Sequence, residues 1–172
     1  EVAYYNIGFN VKDVSETKER SEKWYPCNSG GNFRKWSTDN SIVVNWKNDG
    51  EEIKSFRNAS GKLAARPQNT AKYFKSGLTW NKLSTYRFAV KYKREGFIFD
   101  DTSRSAFLSD SNDIYYVVGL LCSSVALEYL KALNPTMSFT NGDLIRIPII
   151  FNENSRKKVE EIVTANINLS VE

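Results

Sequence analysis

Residues 114–133 read IYYVVGLLCSSVALEYLKAL, and this stretch decides the fold. Apolar residues run almost all the way round at helical spacing, so the segment predicts one central helix. Asp113 offers an N-cap, and Asn134-Pro135 stops the helix. Gly119 and Ala126 leave room for close neighbours. The longest apolar run, Ile114 to Leu127, contains Gly119, Ser123 and Ser124 and falls short of a membrane span.

Tyr86 to Tyr92 alternates as a strand does. Phe88, Val90 and Tyr92 share one face, predicted to pack inwards. Arg87, Ala89, Lys91 and Lys93 share the other, predicted to face solvent or ligand. Further strands are expected at Tyr4–Val11, Ile42–Trp46, Phe97–Phe99 and Arg104–Leu108. Pro148 makes Leu144–Phe151 an extended edge. Lys23 to Gly31 reads as a loop whose rings, Trp24 and Tyr25, either plug the core or line a recognition surface. Asn48-Asp49-Gly50 turns into a helix from Glu51 to about Asn58, and Asn152 or Asn154 caps a final helix to about Asn168. The expected class is α+β: a curved, mostly antiparallel sheet packed on the central helix, with a C-terminal helix leading on.

Charge is distributed unevenly over the 172 residues. Residues 1–100 carry 18 basic and 11 acidic side chains, and residues 101–172 carry 6 and 9. Between Glu52 and Glu95 no Asp or Glu occurs, while Lys54 to Arg94 supplies eleven cations. Aromatic, amide and hydroxyl residues lie among them. That mixture suits a surface that holds a polyanion and inspects what lies along it. If about five of these cations met phosphates, log K would fall with log[salt] with a slope of about −4.5. Arg66, Gln68, Asn69, Asn81, Ser84, Thr85 and Arg87 are of the types that reach base edges.

The absence of histidine removes Ser–His–Asp and Cys–His catalysis and any His-ligated metal from this chain. Cys27 and Cys122 are isolated, too few for a structural zinc site or a disulfide framework, so a reducing, cytoplasmic setting is expected. Glu52-Ile53-Lys54, with Asp39 upstream, has a spacing used by metal-dependent nucleases, but it falls in an expected helix, not on a strand. Asp100-Asp101 reads as a turn, and Asn134-Pro135-Thr136-Met137 as a helix stop. No Gly-rich phosphate or cofactor loop is present, so no catalytic or metal-binding residue is expected. The chain begins at Glu1, which fits a segment cut from something longer.

A series of phrases then points to one family. They include Lys23-Trp24-Tyr25-Pro26, Gly30-Gly31, Arg34-Lys35-Trp36, Val44-Asn45-Trp46, Asn48-Asp49-Gly50 and Arg66-Pro67-Gln68-Asn69. Gly77-Leu78-Thr79-Trp80, Gly96-Phe97-Ile98-Phe99-Asp100, Tyr116 to Ser123, Leu133-Asn134-Pro135-Thr136, Phe139, Gly142-Asp143 and Ile147-Pro148 continue the series. In this order they resemble the C-terminal part of large adenine-specific DNA methyltransferases. That family includes single-chain restriction–modification enzymes and the PglX methyltransferases of BREX phage defence. Cys122-Ser123-Ser124 and Arg104-Ser105-Ala106-Phe107 depart from the pattern.

The resemblance implies a target recognition domain over about residues 23–150 of a single domain 1–172, with a helical extension at about 152–168. It implies that double-stranded DNA is the partner. S-adenosylmethionine and the chemistry would belong to an upstream methyltransferase domain of the same polypeptide. The residues expected to hold phosphates are Lys82, Lys91, Lys93 and Arg94. Those expected to read bases are Arg66, Asn69, Asn81 and Arg87, and Trp80 and Ser84 complete the DNA-binding set. The alternatives are a metal-dependent nuclease domain and a protein-interaction module.

Overall fold

A computed structural model describes residues 1–83, 87–134 and 138–171. In chain order the strands are Trp24–Asn28 (β1), Trp36–Ser37 (β2), Val43–Asn45 (β3), Gly77–Asn81 (β4), Lys91–Lys93 (β5), Ile98–Phe99 (β6) and Ser103–Ala106 (β7). The helices are Lys47–Ser55 (α1), Ile114–Leu121 (α2), Ser124–Leu133 (α3), Asn141–Leu144 (α4) and Glu153–Leu169 (α5). The class is α+β, as the sequence predicts, but the strands form two small sheets instead of one. Each sheet belongs to its own compact unit.

The first unit comprises Glu1–Asn28, Asn40–Lys75 and Arg94–Phe99. Its sheet has β1 between antiparallel β3 and parallel β6. Trp24 to Asn28 is therefore a strand and not a loop, and of its two rings Tyr25 plugs the core with Val11, Trp46, Tyr73, Phe74 and Ile98, while Trp24 is half-buried. Pro26 is tolerated because β3 pairs with it on one side, while β6 begins pairing only at Cys27. Tyr4–Asn6 is a 3₁₀ turn and not a strand. Asn48, Asp49 and Gly50 sit at positive φ, so the expected turn precedes the right-handed part of α1.

The second unit comprises Ser29–Asp39, Ser76–Lys93 and Asp100–Glu172. Its sheet runs β2-β5-β4-β7, with β4 antiparallel to both neighbours. The expected central helix exists but breaks at Cys122-Ser123, with its two halves bent by 76°. Ser123 is extended, and its hydroxyl accepts from Ala126 N–H, restarting the helix as α3. No helix among the described residues is long and apolar enough to cross a membrane. The N-terminal cap also differs from expectation. Asp110 caps a preceding 3₁₀ turn, and Asp113 pairs with Arg156.

Helix α2 lies between the sheet and α5. A side chain at Gly119 would meet Val159 and Val163 at about 3 Å, so the absence of a Cβ there sets how closely α5 approaches. Asn152 caps α5, as predicted, its side chain accepting from Asn154 N–H. The expected edge strand over 144–151 is replaced by α4, capped by Thr140, and a strand-free connection.

The pairing register divides the second sheet into two faces. Leu78, Trp80, Tyr92 and Ala106 form the apolar face, and the Tyr92 ring packs at a tilt against Tyr115 of α2. Thr79, Asn81, Lys91, Lys93, Ser103 and Ser105 form the other. That polar face is not open to water. Lys91 is 4% exposed and Lys93 0% exposed, against the expectation that both point outwards. The predicted separation from Tyr92 is present; the predicted exposure is not. Strand β5 has both edges paired, by β2 and β4, and on its polar face the Phe107 ring lies over Lys93 and Asn81 takes the Lys91 ammonium.

Candidate functional site

At the end of β4 a cleft of about 380 Å³ is lined by Gly30, Gly31, Asn81, Lys82, Leu83, Asp101 and Thr102. The loop entering it is fixed from below. Ser29 Oγ donates to Asp100 Oδ2 at 2.7 Å, and Gly30 N–H donates to Thr102 Oγ1 at 2.7 Å. Thr102 Oγ1 in turn donates to Asp100 Oδ1 at 2.7 Å, so one carboxylate organises the whole turn. Gly31 has φ +120, a region that side-chain-bearing residues rarely enter. Its carbonyl accepts from Asn81 Nδ2 at 2.8 Å.

Asn81 is held from its other end as well. Lys91 Nζ donates to Asn81 Oδ1 at 2.7 Å. An ammonium has only donors, so the oxygen of this amide must face Lys91 and the nitrogen must face Gly31. One Oδ1 lone pair and one Nδ2 hydrogen are left over by these two bonds. Burial lowers the Lys91 pKa from the ordinary lysine range, and the nearby Arg34 charge lowers it further, opposed by Asp39.

The sign of that shift sets a prediction. Below the folded pKa, Lys91 is charged in both states and burial of the charge opposes folding. Between the folded value and the unfolded value of about 10.4, the unfolded chain keeps a proton that the folded chain has shed. Stability therefore rises with pH across that window, by at most about 1.4 kcal/mol per unit. In Lys91→Met this rise is expected to disappear. Denaturant midpoints measured from neutral to alkaline pH for the two proteins check it.

Lys82 lines the cleft, and two further cations lie on or against its Gly30–Lys35 loop. Lys82 is half-buried and pairs with Asp101 at 2.8 Å, and that contact lowers the Asp101 pKa. Arg87 is exposed, with its guanidinium 5.7 Å from the Phe33 ring centroid. Arg34 is exposed on the same loop. Of the residues expected to bind DNA, Asn81, Lys82 and Arg87 are thus gathered around the Gly30–Lys35 loop. Lys91 sits behind Asn81, and Lys93 lies beneath the Phe107 ring at 5.7 Å. Trp80 is 1% exposed and donates Nε1–H to the Phe139 carbonyl at 3.0 Å, so it lies in the core. Arg66, Asn69 and Arg94 are exposed in the first unit. Ser84 lies outside the described residues.

Gly31, Phe33 and Arg34 join the site although the long basic stretch does not include them. A signal for them exists: residues 23–38 form a second acid-free run, between Glu22 and Asp39, holding Arg34 and Lys35. The nuclease-like residues are committed elsewhere. Glu52 accepts from Lys23 Nζ and Asn45 Nδ2, and Lys54 pairs with Asp49. Among the described residues no group of three His, Cys, Asp or Glu side chains is placed to hold a metal ion.

No family model matches the chain. Over 150 residues, 87% of its length, it is 33% identical to the adenine-specific methyltransferase PglX of Lacticaseibacillus casei (strain Zhang). Over 153 residues, 86% of its length, it is 32% identical to the adenine-specific methyltransferase BrxX of Escherichia coli O9:H4 (strain HS). The chain spans 12% of the length of each.

Proposed function

We propose that this segment grips duplex DNA and reads its sequence on behalf of an adenine-specific DNA methyltransferase of phage defence. The observation that carries the proposal is the cleft. Lys82 lines it beside an asparagine whose amide is oriented from both sides, and the loop that enters it carries Arg34 and holds Arg87 against Phe33. The similarity to two adenine-specific methyltransferases supports the same reading.

In this proposal the three cations hold phosphates and fix register, and sequence is read by side chains that reach base edges. An Asn side chain pairs bidentately with adenine through one acceptor and one donor, the two groups Asn81 has left over. Lys91 positions Asn81 and does not itself touch DNA. The half-exposed Lys82–Asp101 pair contributes little to stability, so it yields readily to a phosphate. Arg66, Asn69 and Arg94 are further candidates for contact. S-adenosylmethionine, base flipping and methyl transfer belong to the methyltransferase domain of the same polypeptide, acting in the cytoplasm.

A fluorescent duplex titrated with the protein between 50 and 200 mM salt tests the reading. Three phosphate contacts contribute a slope of about −2.7, which is about 40-fold weaker binding across that range. Affinity independent of salt would overturn it. Plasmid incubated with the protein and Mg²⁺ is expected to stay uncut, because the chain supplies recognition and not cleavage.

A further inference from the structure

Residues 56–64 of the first unit form a small two-stranded ribbon. Arg57 and Leu63 face each other in an antiparallel bridge, flanked by Asn58 N–H to Lys62 O and Ala64 N–H to Phe56 O, both at 2.9 Å. Gly61, at φ +76, closes the turn by donating to Asn58 O. The Asn58 side-chain oxygen accepts from Ser60 N–H, Ser60 Oγ and Lys62 N–H, and Arg57 Nη1 donates to Gly61 O. A short hairpin is marginal in water, and these bonds hold this one in shape.

Yet every residue from Lys54 to Ala64 is exposed. Phe56 is 61% exposed and Leu63 57% exposed. The bridge register puts Arg57 and Leu63 on one face and Phe56 and Lys62 on the other. Each face therefore carries one cation beside one large apolar side chain. No Asp or Glu occurs from Ile53 to Arg94, so no acid in that span offsets the charge. The major groove admits a two-stranded ribbon, its phosphate walls attract cations, and its thymine methyls accept apolar contacts.

We propose that the ribbon of residues 56–64 is a second DNA-binding element, which enters the major groove of duplex DNA. It enters edge-on, so that its two faces turn to the two walls: Arg57 and Lys62 meet the phosphates, and Phe56 and Leu63 meet thymine methyls. This inference rests on the duplex-binding reading above.

Two double variants test it, each altering only exposed side chains, with melting midpoints measured to establish that both remain folded. Arg57→Gln with Lys62→Gln keeps a donor at position 57. Against a fluorescent random-sequence duplex, it is expected to bind about 60-fold more weakly at 0.1 M salt, with a slope flatter by about 1.8. Phe56→Ser with Leu63→Ser is expected to bind about tenfold more weakly at unchanged slope. That second loss is expected to vanish on a duplex carrying uracil for thymine, which lacks the methyl groups. Wild-type affinity in both variants would overturn the ribbon and leave it as a protein-docking element. If they bind normally while loss of Arg34, Lys82 and Arg87 abolishes binding, only the ribbon falls. If the unaltered protein binds no duplex, both readings fall together.

Discussion

Alanine at Arg34, Lys82 and Arg87 together is expected to weaken duplex binding about 500-fold at 0.1 M salt and to flatten the salt slope by about 2.7. Arg34 and Arg87 are exposed and Lys82 is half-exposed, so the fold should survive. Surface substitutions of this kind change stability by less than about 0.5 kcal/mol each. Two effects separate the three positions. Lys82→Ala releases Asp101, whose carboxylate then stands in the cleft without its cation, so this single change should cost more than charge counting predicts. Arg87→Ala removes a guanidinium propped on Phe33, and Phe33→Ala should reproduce part of that loss by letting Arg87 move. Fluorescence anisotropy at four salt concentrations measures both affinity and slope. A triple variant that keeps its slope would place the phosphate contacts elsewhere on the chain.

The contrast between these cations and Lys91 shows what the sequence made legible. Period-two alternation places Lys91 and Lys93 opposite Tyr92, and the register bears that out. Alternation says which residues share a face but not what lies over it. On the polar face of β5 the Phe107 ring lies over Lys93 and Asn81 receives Lys91, so the two lysines that alternation turns outward are buried. Lys82 and Arg87 lie beyond the paired strand residues, where the chain leaves the sheet. The helix tells a similar story. Apolar periodicity runs unbroken from Ile114 to Leu133, so it predicts one helix. The break follows from Ser123, a capping residue whose preference for an extended backbone outweighs continued helix. Cys122-Ser123-Ser124 was visible as a departure from the family pattern; its consequence, a 76° bend, required the structure. Gly31 and Arg34 were legible as family phrases and as part of a second acid-free run. Their role depends on Asp100 and Thr102, about seventy positions away, which fold the turn beneath them.

Trp80→Ala is expected to lower stability by about 3–5 kcal/mol, the range for deleting a fully buried large aromatic side chain. Trp80 lies on the apolar face of the second sheet, among Leu78, Phe88, Val118 and Phe139, and the Phe139 carbonyl takes its indole proton. Truncation therefore opens a cavity and also leaves that carbonyl without its donor, a loss of about 1 kcal/mol more. Trp80→Phe keeps most of the volume and isolates the hydrogen bond, so it should be the milder change. The decisive comparison is with DNA affinity measured well below the melting temperature. An aromatic ring that stacks on a base contributes about 1–3 kcal/mol, and its loss would weaken binding about tenfold or more. Trp80 in the core predicts instead that Trp80→Leu, which fills part of the cavity but cannot stack on a base, binds duplex within about twofold of the unaltered protein while melting earlier. Its neighbour Asn81 should differ in its effect on DNA. Asn81→Ala takes the acceptor from the buried Lys91 ammonium and should lower stability by about 1–3 kcal/mol, and well below the melting temperature it should also blunt discrimination between base pairs. Adjacent residues on one strand thus divide the work by face: Trp80 inward to hold β4, Asn81 outward to the cleft that β4 supports.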